Sequence, residues 1–357
     1  MNILQVAPRY PPHTGGVETH VAEISRRLVA RGHDVTVFTA DAADGLPRRE
    51  TRDGVRVRRF PGFAPGGAFH VAPGIAPAVR RTDPDVVHAH NYHSLPAFFA
   101  ALGVTETFGF RRGADDVRFV VTPHYHGGSA SDLRDRLLSL YRPLGGWALR
   151  RADDLVAVSE WEREQLRADF GVDATVIPNG LDVERFADAM PEERERPYLL
   201  CVGRLEAYKG VQHAIRALPE LPEYDLVVAG SGDYRSELER VAREVGVSER
   251  VEFLGYVDDE RLPGLYAGAA AYLLLSEFEA YGMTVAEALA SGTPCVVRTG
   301  SALDDWTSTS GVIDIHEVDA MTVAEAVIKV RNTDTDDTQI AEWPAIIDKL
   351  ERRYKSK

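Results

Sequence analysis

Ser276-Glu277-Phe278-Glu279-Ala280-Tyr281-Gly282-Met283-Thr284-Val285-Ala286-Glu287 decides how this chain reads. It follows an apolar strand-like run, Ala269 to Leu275, and turns through a glycine into an Ala-rich helical run. That helix ends near Ser291, with Gly292 as its stop. A loop entering a helix presents free backbone N–H groups and the positive end of the helix dipole, and both suit phosphate. Glu279 and Glu287, eight positions apart, suit hydroxyls instead, because an ionised carboxylate accepts two hydrogen bonds at once. Phosphate and vicinal hydroxyls together describe a sugar nucleotide. A second reading stays open: Thr284-x-x-Glu287 has the form of a capping box, which stabilises a helix start and needs no ligand. It leaves Glu279, Gly282 and the basic residues upstream without a role.

The strand–loop–helix unit recurs on both sides of this stretch. In the first half, short apolar runs at Ile3–Ala7, Val35–Thr39, Val55–Phe60, Val86–His90, Phe119–Thr122 and Leu155–Ser159 alternate with helical patterns such as Val17–Ala30. After Asn179-Gly180 the pattern restarts, with strands at Tyr198–Val202, Leu226–Ala229, Val251–Leu254, Ala271–Leu275 and Pro294–Val297. Helices are expected at Val211–Leu218, Asp233–Val245, Asp259–Ala267 and Val285–Ala290. The fold class is therefore α/β, with two Rossmann-like, doubly wound parallel-sheet domains covering residues 1–180 and 181–339. Pro191–Pro197 reads as a linker, and the amphipathic tail, 340–357, is expected to pack back on the first domain. Open α/β sheets bind ligands at the carboxyl ends of their strands, so two such domains are expected to face one another across a cleft.

Length and composition agree. A chain of 357 residues suggests about two domains at roughly 150 residues each. No apolar run approaches the ~20 residues of a membrane span, and Met1–Val6 lacks the charged start of a signal peptide. Cys201 and Cys295 lie in apolar runs and predict two buried thiols, a reducing, cytoplasmic setting and no disulfide. The net charge of −14 is uneven: residues 1–180 hold 22 Arg against 21 Asp and Glu, whereas 181–357 hold 19 Lys and Arg against 34. Lysine numbers only 5 against 36 Arg, and this acidic, Lys-poor surface reads as an adaptation to high salt. No concentrated basic face is visible, which argues against nucleic acid as a partner.

Other strand ends carry further candidates. His13-Thr14-Gly15-Gly16-Val17-Glu18 opens the first helix, where paired glycines let backbone approach a ligand, or simply make a tight turn. Gly-x-Gly-x-x-Gly is absent there, and Gly230-Ser231-Gly232 lacks the third glycine, so a nicotinamide enzyme is disfavoured. No P-loop occurs. Cys201-Val202-Gly203-Arg204-Leu205-Glu206-Ala207-Tyr208-Lys209-Gly210 ends a strand and supplies a planar guanidinium and a point charge, a pair that fits a diphosphate. Gly230, Ser231, Tyr256 and Val257 follow the next two strands and suit a nucleobase. His124 and His126 lie just past another strand; a hydrogen-bonded structural role is equally open. His88, His90 and His93 have no nearby Asp, Glu or Cys to complete a metal set, and neither Asp83-x-Asp85 nor Asp334-x-Asp336 is expected to hold a catalytic metal.

In this order the pieces resemble retaining GT-B glycosyltransferases of family 4 (glycosyl transferases group 1). The resemblance spans Pro11–Glu18, Gly32–Val37, Val176–Asp182, Val202–Leu205 with Lys209-Gly210, Ala229–Gly232, and Glu279 to Pro294. It implies that Arg204 and Lys209, with Gly203, hold the donor diphosphate, approached also by Gly15 and Gly16. Glu287 then takes the ribose hydroxyls. Glu279 binds the donor sugar beside the backbone of Tyr281, Gly282, Met283 and Thr284, and His124 contacts the sugar. It further implies a UDP-, GDP- or other NDP-sugar as substrate, a glycan or lipid-linked acceptor, no cofactor and no metal. Ala280-Tyr281 departs from the family's frequent Gly-Phe, and Thr299–Thr309 does not match its usual continuation.

Transfer of a hexosyl group is the expected activity. A nucleotide-sugar epimerase or hydrolase, or a binding protein without chemistry, are the alternatives. Leu133–Arg151 mixes arginines with Leu137, Leu138, Leu140, Leu144 and Trp147. It is expected as a helix against the sheet, with peripheral membrane contact through the first domain as the other possibility.

Overall fold

Runs of buried Val, Leu, Ile and Ala between turn-forming residues produce two separate sheets. The computed structural model describes residues 1–42, 45–65, 69–105, 117–128, 132–335 and 340–356, without the side chains of 132–134. The expectations for Leu133, Asp336 and Lys357 fall outside that set. Two compact units result: Met1–Pro178 together with Pro344–Lys357, and Asn179–Trp343.

The first unit contains β1 (Asn2–Ala7), α1 (Gly16–Ala30), β2 (Asp34–Thr39), β3 (Arg49–Arg52), β4 (Val55–Arg59), α2 (Ile75–Arg81) and β5 (Val86–His90). It continues with α3 (Pro96–Val104), β6 (Arg118–Thr122), α4 (Asp132–Leu149), β7 (Asp154–Ala157), α5 (Glu160–Phe170) and β8 (Thr175–Val176). The strand order is β3-β4-β2-β1-β5-β6-β7-β8, and only β3 against β4 is antiparallel. Central β1 and β5 are buried almost throughout, as a sheet covered on both faces requires. Turns at the carboxyl ends of β1, β5 and β6 carry Gly15-Gly16, His93 and His124.

The second unit contains α6 (Val183–Ala187), β9 (Tyr198–Val202), α7 (Val211–Ala217), β10 (Asp225–Ala229), α8 (Arg235–Glu244), β11 (Val251–Gly255) and α9 (Leu262–Gly268). Then come β12 (Ala271–Leu274), α10 (Met283–Ala290), β13 (Cys295–Arg298), β14 (Val312–Ile315) and α11 (Ala320–Val330). All strands are parallel, in the order β11-β10-β9-β12-β13-β14. The order reverses at β9 and β12, which places the loops after these two strands side by side. Both cysteines are buried and free, in β9 and β13.

The linker expectation for Pro191–Pro197 is corrected. Glu192 donates its N–H to Gly264 O at 2.9 Å, and its carboxylate pairs with Arg261 at 2.8 Å and Arg194 at 2.9 Å, which ties the stretch to α9 within the second unit. The break between units falls after Pro178 instead. The last helix, α12 (Trp343–Lys355), lies from Pro344 onward in the first unit. Ile346, Ile347, Leu350 and Tyr354 are its buried face, and Tyr354 OH meets His88 Nδ1 at 2.7 Å.

Candidate active site

Lys209 and Glu279 are 70 positions apart in sequence and in contact in the fold. The loop after β9 and the loop after β12 bring Lys209 Nζ to 2.6 Å from Glu279 Oε1, with both side chains under 20% exposed. Burial works against the ammonium, but Glu279, with Tyr208, holds its pKa above the ordinary lysine value. Lys209 is therefore charged, partly dehydrated and aimed. Arg204 stands at the mouth of the same loop, 60% exposed. It pairs with Glu206 at 3.1 Å and donates to Tyr208 OH at 3.3 Å, and the Tyr208 ring lies 5.3 Å from Lys209 Nζ. A small cavity lined by Gly203, Arg204, Lys209 and Leu274 opens at these strand ends.

Neighbouring loops are stitched by their backbones. Gly203 N–H donates to Ala229 O at 2.9 Å, Leu205 N–H to Ser231 O at 2.9 Å, and Gly230 N–H to Gly255 O at 2.7 Å. The loops after β9, β10 and β11 thus form one surface holding Gly203, Gly230 and Ser231. A Cβ on Gly230 would lie 1.8 Å from Gly203 O at a φ of +146°, so only glycine permits this approach. Tyr256, 63% exposed, and half-buried Val257 follow directly.

The capping-box reading of Thr284 and Glu287 does not hold. Gly282, left-handed at φ 94°, is the N-cap of α10, which makes no side-chain cap hydrogen bond. Thr284 is the second helical residue, and Glu287 turns to accept from Tyr266 OH at 2.8 Å. Burial pushes the Glu287 carboxyl up to about 7, against the pull of Tyr266 and Arg185. Tyr266 is a member the sequence reading missed; a tyrosine inside an apolar helical run carries no local signal. Also missed was the support under Tyr281 and Gly282. The off-pattern stretch Thr299–Thr309 forms a 3-10 turn, Ala302–Trp306, that donates Ala302 N–H to Glu279 O at 3.2 Å and Trp306 Nε1–H to Tyr281 O at 2.7 Å. Tyr281 is buried edge-on against Trp306, with ring centroids 5.4 Å apart.

In the first unit, Gly15 N-caps α1 and Gly16 begins it; no atom lies within 4 Å of a Cβ placed on Gly16. Glu18 crowds Gly15 and pairs with Arg9 at 2.7 Å. His124 is buried with a left-handed φ of 47°, and its Nε2 has no hydrogen-bond partner among the described residues. Burial pushes its pKa down to about 3, so the imidazole is neutral. No Asp, Glu or Cys joins His90 in such a cluster among the described residues, but the fold brings His20 from α1 and His124 to it, one ring nitrogen each within 4.8 Å of one another. His88 is occupied by Tyr354 and Thr122. His93 stacks on His126 with centroids 3.9 Å apart. The set of His20, His90 and His124 contains no carboxylate. Their edge-on and stacked packing suits neutral imidazoles.

Solved structures with this architecture span the chain. Sucrose-phosphate synthase of Thermosynechococcus elongatus aligns with a TM-score of 0.80 and 19% identity over 99% of this chain and 98% of that one. Anabaena HepE in complex with UDP-glucose aligns at 0.78 with 18% identity over the whole of both. The fold is therefore that of the GT-B glycosyltransferases. Family models match in succession, Glycosyltransferase Family 4 over residues 14–185 and Glycosyl transferases group 1 over 182–334. Among curated relatives, a GDP-mannose-dependent alpha-(1-6)-phosphatidylinositol monomannoside mannosyltransferase of Mycolicibacterium smegmatis is 31% identical, covering 90% of this chain and 87% of that protein. A glycogen synthase of Mycobacterium tuberculosis is 33% identical, covering 85% and 80%. This chain belongs to glycosyltransferase family 4.

Proposed function

We propose that this glycosyltransferase moves a hexosyl group from a nucleoside-diphosphate sugar to a glycan or lipid-linked acceptor, with retention at the anomeric carbon and without a metal ion. The observation that carries this reading is the 2.6 Å contact of Lys209 with Glu279 beside the start of α10, with Arg204 next to it. When the anomeric C–O bond breaks, the electron pair goes to the diphosphate. Lys209, Arg204 and the N–H groups of Met283 and Thr284 meet that growing charge. Glu279 accepts from sugar hydroxyls and Glu287 from the ribose. Gly230, Ser231, Tyr256 and Val257 offer backbone edges and a flat surface to the base. His124 presents an unprotonated imidazole to a sugar hydroxyl, and Gly15 and Gly16 leave backbone N–H groups for phosphate. The acceptor oxygen bonds to the same face of an oxocarbenium-like centre and passes its proton to the departing phosphate.

An anionic lipid surface fits the first unit as the place where the acceptor is met. Leu140 and Leu144 are exposed on α4 beside exposed Arg136 and Arg142, while Tyr141, Ala148 and Leu149 bury its other face. Among the described residues no helix is long and apolar enough to cross a membrane.

Thermal-shift screening with GDP-mannose, UDP-glucose and other sugar nucleotides identifies the donor, since a ligand that binds the native state raises its melting temperature. Turnover with that donor is then followed with and without oligosaccharide or lipid-linked acceptors, before and after chelator treatment. Acceptor-dependent release of nucleoside diphosphate that survives the chelator supports the proposal. Free sugar or epimer formed as fast without acceptor supports a hydrolase or epimerase. Binding without turnover on any acceptor supports a protein without chemistry.

A further inference from the structure

The conformation of His124 needs an explanation that His124 does not itself supply. A left-handed backbone is unfavourable for a β-carbon-bearing residue and persists where the surroundings impose it. The next peptide is where they do so. Tyr125 N–H donates to Glu162 Oε1 at 2.6 Å, and the other oxygen, Oε2, accepts Val158 N–H at 2.6 Å. Glu162 is completely buried on α5, and its own N–H donates to Ser159 Oγ at 3.0 Å. Helix α5 grips Tyr125 at its far end too, where Tyr125 OH donates to Asp169 at 2.6 Å.

Among the described residues no cation pairs with this buried carboxyl group, and burial pushes it up to about 8, against the pull of the Val158 and Tyr125 N–H groups. Capping α5 requires only Ser159 and the contact with Val158. The second oxygen, spent on the peptide after His124, is unnecessary for a cap. It joins the turn after β6 to the turn after β7, two strands that are paired neighbours.

We propose that Glu162 is the positioning residue for His124: its carboxyl group clamps the Tyr125 N–H and so holds His124 in its left-handed backbone conformation, which fixes where the imidazole sits. The inference rests on the reading of His124 as a contact of the donor sugar. Glu162→Gln keeps the side chain's size but turns an amide NH2 toward one of two backbone N–H groups, so one of the two bonds is lost.

The test is a double-mutant cycle of Glu162→Gln with His124→Ala, read as release of nucleoside diphosphate from GDP-mannose or UDP-glucose, whichever stabilises the protein. Alongside it, the His124 ring signals are followed by NMR. The expected result is a tenfold or greater fall in kcat for Glu162→Gln, a displaced His124 ring signal, and no further loss in the His124→Ala background. The melting temperature meanwhile falls equally in both backgrounds. Equal kinetic loss in both backgrounds, or an unmoved His124 signal, overturns the proposal. If His124→Ala is itself neutral while Glu162→Gln still moves the ring, the role of His124 falls and the clamp stands. Should Glu162→Gln fail to fold, Glu162→Asp keeps the charge and shortens the reach, and the same outcomes are read from it.

Discussion

A lysine beside a glutamate at 2.6 Å is often only an ion pair, and an exposed one is worth about 0–1 kcal/mol. Here the pair is largely sheltered at a loop that meets the start of a helix, which favours a chemical role over a stabilising one. Lys209→Ala is expected to lower kcat by about 10²- to 10³-fold; an unchanged kcat in steady-state assays counts against Lys209 at the diphosphate. Glu287 makes a different prediction. Its folded carboxyl is raised from 4.5 to about 7, so its contribution to stability is full below about pH 4.5 and is lost as pH rises through about 7. Donor binding runs the other way, because the ionised form accepts ribose hydroxyls. Affinity for the sugar nucleotide, measured by calorimetry, is expected to weaken as pH falls from about 8 to about 6, and Glu287→Gln flattens that slope. A wild-type affinity independent of pH would remove Glu287 from the ribose.

At the scale of elements, the apolar runs predicted the central strands because each is buried on both faces and reads as continuous Val, Ile, Leu and Ala. β3 escaped for the opposite reason: Arg49-Glu50-Thr51-Arg52 has no apolar residue and exists only as an antiparallel edge on β4. The same limit applied at the site. Glu279, Lys209 and the α10 start were legible because loop, charge and helix lie close in sequence or recur as a pattern. Trp306 and Glu162 were not, because each acts on a backbone atom brought near by folding. The capping grammar was read at Thr284–Glu287 and is realised at Ser159–Glu162 instead. Trp306→Ala removes a buried indole and its bond to Tyr281 O, so a loss of about 3–5 kcal/mol is expected. Its donor KM should rise while Arg204 and Lys209 stay untouched. A melting curve and saturation kinetics separate the two effects, and an unchanged KM means that the 3-10 turn supports the unit but not the site. Helix α4 makes its own prediction. Leu140→Ser with Leu144→Ser changes exposed positions only, so stability should move by no more than about 0.5 kcal/mol. Flotation of the wild-type protein with anionic vesicles at low salt, lost in that variant, is the outcome expected of a lipid-facing helix; equal behaviour of both proteins on vesicles removes the membrane from the proposal.

Across the whole molecule, charge is the property least evenly shared. Residues 181–357 hold 34 acidic side chains against 19 Lys and Arg, while residues 1–180 are close to balance. Two effects of salt oppose one another in the acidic part. Local pairs such as Arg235–Glu239 and Arg261–Glu192 weaken as salt screens them, but exposed pairs contribute about 1 kcal/mol or less each. The unpaired excess of carboxylates repels itself over longer distances, and this repulsion is what salt removes, since the screening length shrinks from about 10 Å at 0.1 M to about 3 Å at 1 M. The long-range term outnumbers the local one wherever acids lack partners, so it decides the sign. Melting temperature is expected to rise between about 0.1 M and about 1 M KCl. Replacing four exposed acids of the second unit, Asp233, Glu249, Asp258 and Glu260, by Asn or Gln should reproduce part of that rise at low salt. A melting temperature that falls with KCl, or that ignores the four replacements, means the acidic excess is no source of self-repulsion, and the reading of this composition as a high-salt adaptation goes with it.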